Sequence, residues 1–301
     1  MKVVVAGGSG FLGTALRAAL LADGHAVANL TRRPIPTAPD DVMWTPDGSA
    51  NGWAHVVDGV DAVVNLAGAG IADTRWTDER KDIILKSRIA ATRNLVTAIA
   101  RAATPPRVLV SASGVGYYGP RGVDIVTEAT PAGTDFLAKV CVEWEREADQ
   151  ASAVTRVAIV RTGVALHPEG GALARMLLPF KFGVGGPLGG GTQYMPWIHR
   201  DDWIDLVRWL IAEPGARGAF NGASPAPVTN TEFVRALGRV LSRPAVLPVP
   251  AFGLRLLFGE MADLLVTGQR AVPARALEMG FRFRFENLGE ALADLLSRAS
   301  R

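Results

Sequence analysis

Residues 1–33, MKVVVAGGSGFLGTALRAALLADGHAVANLTRR, decide the fold. Residues 2–6 (KVVVA) form an unbroken apolar run, the pattern of a strand buried on both faces of a parallel sheet. Gly7, Gly10 and Gly13 follow at GxxGxxG spacing. Leu12, Leu16, Ala19 and Leu20 then recur at helical spacing over residues 12–22, and Gly24 supplies a stop. Residues 26–30 (AVANL) give a second apolar strand, closed by Thr31, Arg32 and Arg33. Strand, glycine turn, helix and strand in this order form a dinucleotide-binding unit. The glycines allow a tight turn, close approach of backbone to a pyrophosphate and close helix packing, while free N–H groups at the helix start face the phosphates. Gly7, Gly10, Phe11, Leu12 and Gly13 are therefore assigned to the cofactor.

The position about 20 residues past the glycines chooses between cofactors: an acid there binds the ribose hydroxyls of NAD, whereas arginine accommodates the 2′-phosphate of NADP. Thr31, Arg32 and Arg33 stand there with no acid beside them, which selects NADP(H). Arg33 also offers a planar cation to stack on adenine.

With 301 residues, 49% of them hydrophobic, the chain can bury a core large enough for a Rossmann domain and a smaller lobe. Its 32 basic and 29 acidic residues are spread along the chain rather than run together. No basic tract carries interleaved aromatics, which argues against a nucleic-acid partner. Cys141 is the single cysteine, so no intramolecular disulfide forms and a reducing compartment is expected. His25, His55, His167 and His199 lack ligand spacing, so no metal is expected. The apolar opening is too short for a signal-peptide core, and residues 252–266 carry Arg255, Glu260 and Asp263, which reads as an amphipathic helix rather than a membrane span. The expectation is a cytoplasmic protein with a small-molecule substrate and no membrane partner; the oligomeric state is left open.

Pro34, Pro36 and Pro39 mark a loop, residues 41–44 a short strand and residues 48–52 a turn. Residues 60–66 (VDAVVNL) read as a buried strand whose end, Asn65, Leu66, Ala67 and Gly68, lies at the carboxyl edge where open α/β sheets bind ligands. A helix over 77–101, a strand over 107–110 ending in Ser111 and Ser113, a helix over 135–150 and a strand over 155–160 continue the alternation. The fold class is thus α/β, a Rossmann-type doubly wound parallel sheet, with a Rossmann domain over 1–165 and a smaller lobe over 166–301. Parts of 193–225 return to the main sheet. Helices are predicted over 200–211, 229–241 and 288–296, with Asp201 or Asp202 capping the first, and residues 281–285 (FRFRF) alternate as a last strand.

GGSGFLG, VVNLAGAG, SASGVGYYG and WIHRDDW together resemble the extended short-chain dehydrogenase/reductases. RWT at residues 75–77, FLAKVCVEWE at 136–145 and VRTGVAL at 160–166 are similar to an atypical branch, the epimerase-family (NAD-dependent epimerase/dehydratase-like) proteins with a C-terminal extension. The resemblance implies a nicotinamide cofactor held by the glycine turn, by Asn65, Leu66, Ala67 and Gly68, and by Ser111. It also implies a Tyr-x-x-x-Lys pair, which this chain lacks: four residues after Tyr117, Tyr118 and Tyr194 stand Arg121, Gly122 and Ile198.

Three replacements present themselves. Tyr117 or Tyr118 can donate a proton, with Ser113 as hydrogen-bond partner and Arg121 as the charge that lowers the phenol pKa. Asp135 with Lys139 occupies the place of the missing pair, though an ordinary helical ion pair explains it equally. Cys141 can act as nucleophile or acid, against the commoner reading of a small core residue. Arg75 and Trp76 are candidates for anchoring an anionic or planar substrate, and Arg161 either orients the nicotinamide loop or pairs with an acid. The functional expectation is NADP(H)-dependent hydride transfer to or from a small carbonyl or alcohol. The rivals are a catalytically silent NADP(H)-binding sensor or scaffold and a nucleotide-sugar epimerase or dehydratase.

Overall fold

The computed structural model describes residues 1–35, 37–46 and 52–298. Pro36 and most of the turn expected over 48–52 lie outside them.

The first half alternates strand and helix: β1 (Lys2–Ala6), α1 (Phe11–Ala22), β2 (Ala26–Thr31), β3 (Asp41–Met43), β4 (Ala62–Asn65), α2 (Asp78–Arg101), β5 (Val108–Gly114), the short β6 (Ile125–Val126), α3 (Phe136–Asp149) and β7 (Arg156–Thr162). The second half contributes β8 (Val164–His167), α4 (Gly171–Lys181), β9 (Tyr194–Met195), β10 (Trp197–His199), α5 (Arg200–Ala212), β11 (Gly218–Gly222), β12 (Val228–Thr229) and α6 (Asn230–Leu241). It closes with α7 (Ala251–Phe258), α8 (Asp263–Val266), β13 (Arg270–Ala271), α9 (Ala274–Glu278) and α10 (Leu288–Arg298).

The main sheet has seven strands in the order β11-β7-β5-β4-β1-β2-β3, all pairs parallel. The chain leaves β1 to one side for β2 and β3 and returns to the other side for β4, so the carboxyl ends of β1 and β4 flank the reversal at which such sheets bind ligands. The apolar run of β1 feeds both faces: Val3 and Val5 pack with Leu16, Leu20, Trp203 and Leu206 of α1 and α5, while Val4 and Ala6 pack with Leu95 and Ile99 of α2. The seventh strand, β11, comes from within residues 193–225. A separate cluster, including Leu173, Phe180, Trp197, Phe233 and Leu292, joins α4, α6 and α10 in the second lobe.

Several expectations change. Residues 281–285 alternate as predicted, with Phe281 and Phe283 buried against the sheet core, yet they form no strand. The N–H groups of Arg284 and Phe285 instead donate to the Asp202 carboxylate at 2.8 and 3.0 Å. Asp202 is therefore not the cap of α5; that position is His199, whose Nδ1 accepts the Asp201 N–H at 3.0 Å. The amphipathic helix expected over 252–266 breaks at Gly259, where φ is +61°, into α7, a single 3-10 turn and α8.

Candidate functional site

The glycine turn is shaped by missing Cβ atoms. Gly7 has φ +81°, and a Cβ on it would sit 2.8 Å from the Leu66 carbonyl carbon and 2.9 Å from the Ala67 nitrogen. The two cofactor segments read from the sequence therefore lie back to back. A Cβ on Gly13 would fall 2.3 Å from the Gly7 carbonyl oxygen, so helix α1 can start against the turn only because that position is glycine. Gly10 caps α1 without a side-chain hydrogen bond, which leaves the first-turn N–H groups uncapped by a side chain. Thr31 ends β2 and its Oγ1 accepts the Arg33 N–H at 3.3 Å. Arg32 and Arg33 are exposed and pair with no acid among the described residues.

Asn65 is fully buried and its side chain serves the fold. Its Nδ2 donates to Thr92 Oγ1 at 2.8 Å and its Oδ1 accepts the Ala67 N–H at 3.2 Å, which fixes the β4 end. Gly68 lies against Arg88, a residue the sequence reading missed: Arg88 Nη1 donates to the Ala69 and Ile84 carbonyls at 2.9 Å each, and its guanidinium lies 5.0 Å from the Trp144 ring centre. No acid pairs with it among the described residues, and burial pushes its pKa down. As one of four arginines within the amphipathic helix α2, it gave no sequence signal.

At the other end of the sheet edge, beyond β5 and β7, the expected residues do come together, but with other partners. Arg161 and Glu145 form a two-pronged ion pair, Nε to Oε1 at 2.9 Å and Nη2 to Oε2 at 2.8 Å, with both side chains largely buried. Burial opposes the Arg161 charge, yet the bonds and charge of Glu145 outweigh it and raise its pKa. Ser111 is buried two residues earlier on β5, opposite Asn65 of β4. Ser113 donates to Glu145 Oε1 at 2.7 Å, so it is not the partner of either tyrosine.

Tyr118 is fully buried; its hydroxyl donates to Asn221 Oδ1 at 2.7 Å and accepts Arg161 Nη1 at 2.9 Å. Burial pushes its pKa up to about 12, with Arg161 pulling the other way. Tyr118 is thereby built into the fold rather than presented to the cleft. Tyr117 differs. It is half-buried, the Arg161 guanidinium carbon lies 3.4 Å from its ring centre, and its hydroxyl makes no hydrogen bond among the described residues. The cation at the tyrosines is thus Arg161. Arg121, the residue expected there, instead donates to the backbone carbonyls of Tyr118 and Pro131 at 2.9 and 2.7 Å.

The other two replacements lose their chemistry. Asp135 caps α3, its Oδ1 accepting the Ala138 N–H at 2.8 Å, and no ion pair joins it to Lys139 among the described residues. Cys141 is buried, donates to the Gly114 carbonyl at 3.5 Å, and burial pushes its thiol up to about 11, the wrong direction for a nucleophile. Trp76 donates to the Ile71 carbonyl at 2.7 Å and packs edge-on against Phe136, while exposed Arg75 lies beside Gly259 of the second lobe. That lobe also reaches the cofactor turn directly, since the Phe11 ring lies against Gly170 and Gly171, and Lys81 of α2 pairs with Glu260. Among the described residues no group of three or more His, Cys, Asp or Glu is placed to hold a metal ion, and no helix is long and apolar enough to cross a membrane.

The geometry finds its counterpart in known proteins. Residues 3–221 match the model of the NAD dependent epimerase/dehydratase family. The chain belongs to that family. Residues 249–295 match a second model, a domain of unknown function that supplies the C-terminal extension. An epimerase family protein of Mycobacterium bovis is 44% identical over 300 residues, covering 98% of each chain. The chloroplastic epimerase family protein SDR39U1 homolog of Arabidopsis thaliana is 42% identical, covering 98% of this chain and 87% of its own length. The crystal structure of human epimerase family protein SDR39U1 with NADPH superposes with a TM-score of 0.90 at 36% identity, covering 99% of both chains. The family and the Rossmann fold expected from the motifs are therefore those of this chain.

Proposed function

We propose that this family member is an NADP(H)-dependent oxidoreductase that reduces a small carbonyl compound or oxidises the matching alcohol. The residues fit the cofactor: a cradle that side chains would fill at Gly7 and Gly13, N–H groups at the start of α1 with no side-chain cap, and exposed Arg32 and Arg33 after β2, which would suit a 2′-phosphate. The NADPH bound to the human relative supports the same choice. Thr31, Arg32 and Arg33 would hold the adenosine phosphate, and Leu66, Ala67, Gly68 and Arg88 would flank the opposite side of the cradle. When bound, the cofactor supplies or accepts hydride at C4 of the nicotinamide.

The single observation that carries the chemistry is Tyr117. It stands one turn past β5, its hydroxyl makes no hydrogen bond among the described residues, and a guanidinium lies over its ring, so that hydroxyl could hand a proton to a bound substrate. Arg161 acts as a positioning residue, kept in place by Glu145. Ser113 steadies Glu145 in turn. Reduction needs only one proton, so a single donor suffices.

Stopped-flow absorbance of bound NADPH against a panel of carbonyl compounds tests this reading. At least one compound should oxidise the cofactor, and Tyr117→Phe should slow that step by about 100-fold or more while leaving NADPH affinity unchanged. Full activity in the variant would move the proton to water. Silence across the panel would favour a second reading, an NADP(H)-binding sensor, which the commitment of Ser113 and Tyr118 to structural hydrogen bonds supports. A reducing, cytoplasmic setting suits a chain whose only cysteine is buried and unpaired.

A further inference from the structure

The half-buried Arg88 is held in place by its surroundings while most of its donors stay unassigned. One turn further along α2, Thr92 Oγ1 accepts both Asn65 Nδ2 at 2.8 Å and Trp144 Nε1 at 2.9 Å, which ties the end of β4 and helix α3 to the same stretch of α2. The Trp144 ring so fixed lies 5.0 Å from the Arg88 guanidinium. On its other side Gly68 permits the approach, since a Cβ there would meet Arg88 Cγ at 3.0 Å and Cζ at 3.1 Å. Nη1 donates to the Ala69 and Ile84 carbonyls, and Ser87 Oγ pins the same loop by accepting the Ala69 N–H at 3.0 Å. Nε and Nη2 carry the remaining three N–H groups and make no hydrogen bond among the described residues.

This guanidinium borders the place of the cofactor's diphosphate. Leu66 and Ala67 lie against Gly7 of the turn, and Gly68, on which Arg88 rests, is the next residue along. Neither cradle segment, 7–13 or 65–68, contains a charged residue. Arg32 and Arg33 follow β2, on the far side of β1 from β4, and the neighbouring cation Arg80 is paired with Asp73 at 3.2 Å. We propose that Arg88 grips the diphosphate of the nicotinamide dinucleotide from the β4 side. Nε and Nη2 form a fork for two phosphoryl oxygens, opposite the N–H groups of α1. The inference rests on the cofactor reading above and divides its labour: Arg32 and Arg33 tell NADPH from NADH, whereas Arg88 binds what the two share.

Calorimetry with NADPH, NADH and adenosine 2′-monophosphate, which lacks the diphosphate, tests it on the full chain. Arg88→Met keeps an apolar stem over Trp144 and removes the charge; Arg88→Lys keeps both. The Met variant should lose at least about tenfold in affinity for NADPH and NADH, by a common factor, as expected for a charge-assisted contact. Adenosine 2′-monophosphate should bind as it does to the wild type, which also shows that the variant is folded, and the Lys variant should fall between the two. A wild type that binds neither dinucleotide removes the cofactor reading and this inference with it. Intact wild-type binding with an unchanged Met variant overturns the role of Arg88 alone, including when a raised KM for carboxylate-bearing carbonyl compounds assigns the guanidinium to a substrate anion. Equal losses in the Met and Lys variants, or a parallel loss of adenosine 2′-monophosphate, overturn it as well, because charge at the diphosphate would explain neither.

Discussion

Between β1 and β4 the sheet edge is shaped by what side chains leave empty, whereas between β5 and β7 it is filled with buried charge. The first region needs glycine at Gly7 and Gly13 because backbone from Leu66, Ala67 and the turn itself occupies the space a Cβ would take. The second brings Ser113, Tyr118, Glu145, Arg161 and Asn221 from four separate segments into one hydrogen-bonded network. One end can be read locally and is built of main chain. The other exists only when the chain has closed, and each of its members depends on the rest.

The largest expected effect strikes that network. Arg161→Met should cost about 3–5 kcal/mol of stability, because it leaves Glu145 buried without its cation; urea unfolding measures it, and a loss below about 1 kcal/mol would mean the pair is better solvated than its burial indicates. Next comes the cradle. Gly13→Ala should destabilise by roughly 2–3 kcal/mol, since its Cβ meets the Gly7 carbonyl at 2.3 Å. It should also abolish NADPH binding by calorimetry, and retained affinity would show that the turn yields where the contrast requires it to be rigid.

A third effect concerns pH. Below about pH 10 the Tyr118 hydroxyl is protonated in the folded and unfolded chain alike, so its bonds contribute fully. As pH climbs from there to about 12, the unfolded chain ionises first and the folded chain holds its proton. Stability should therefore fall by roughly 2–3 kcal/mol across that window. Tyr118→Phe should flatten the decline while lowering stability at neutral pH, and an equally steep decline in the variant would assign the alkaline transition to other groups. The smallest effect belongs to the exposed pair: Arg32→Glu with Arg33→Glu should weaken NADPH by about 2 kcal/mol with NADH nearly unaffected. Equal losses for both cofactors would place the arginines away from the 2′-phosphate.

Legibility follows the same division. The βαβ opening, the strand ending at Asn65 and the helices α2, α3, α5 and α6 could be read because their periodicity, glycines and caps are local properties of neighbouring residues. Thr229 shows it: its side chain accepts the Glu232 N–H while Glu232 answers to the Thr229 N–H, a capping box closed within four residues. The alternation of 281–285 misled because a period of two reports which residues are buried and says nothing of where the N–H groups go. Those of Arg284 and Phe285 went to Asp202, about eighty positions earlier in the chain. Arg121 misled for a related reason: proximity in sequence to the tyrosines offered a charge, but Arg161 reaches them across the sheet.

What the sequence determined by itself was the cofactor cradle, since a positive φ at Gly7, the apolar strands around it and the paired arginines after β2 are consequences of residue type at fixed spacing. Tertiary structure alone decided which hydroxyls remained free. Tyr117 and Tyr118 are adjacent and chemically identical, yet the hydroxyl of Tyr118 is sealed between Asn221 and Arg161 while that of Tyr117 makes no hydrogen bond among the described residues. That distinction arises because hydrogen bonds and burial are made with whatever the fold brings near, which no local pattern encodes.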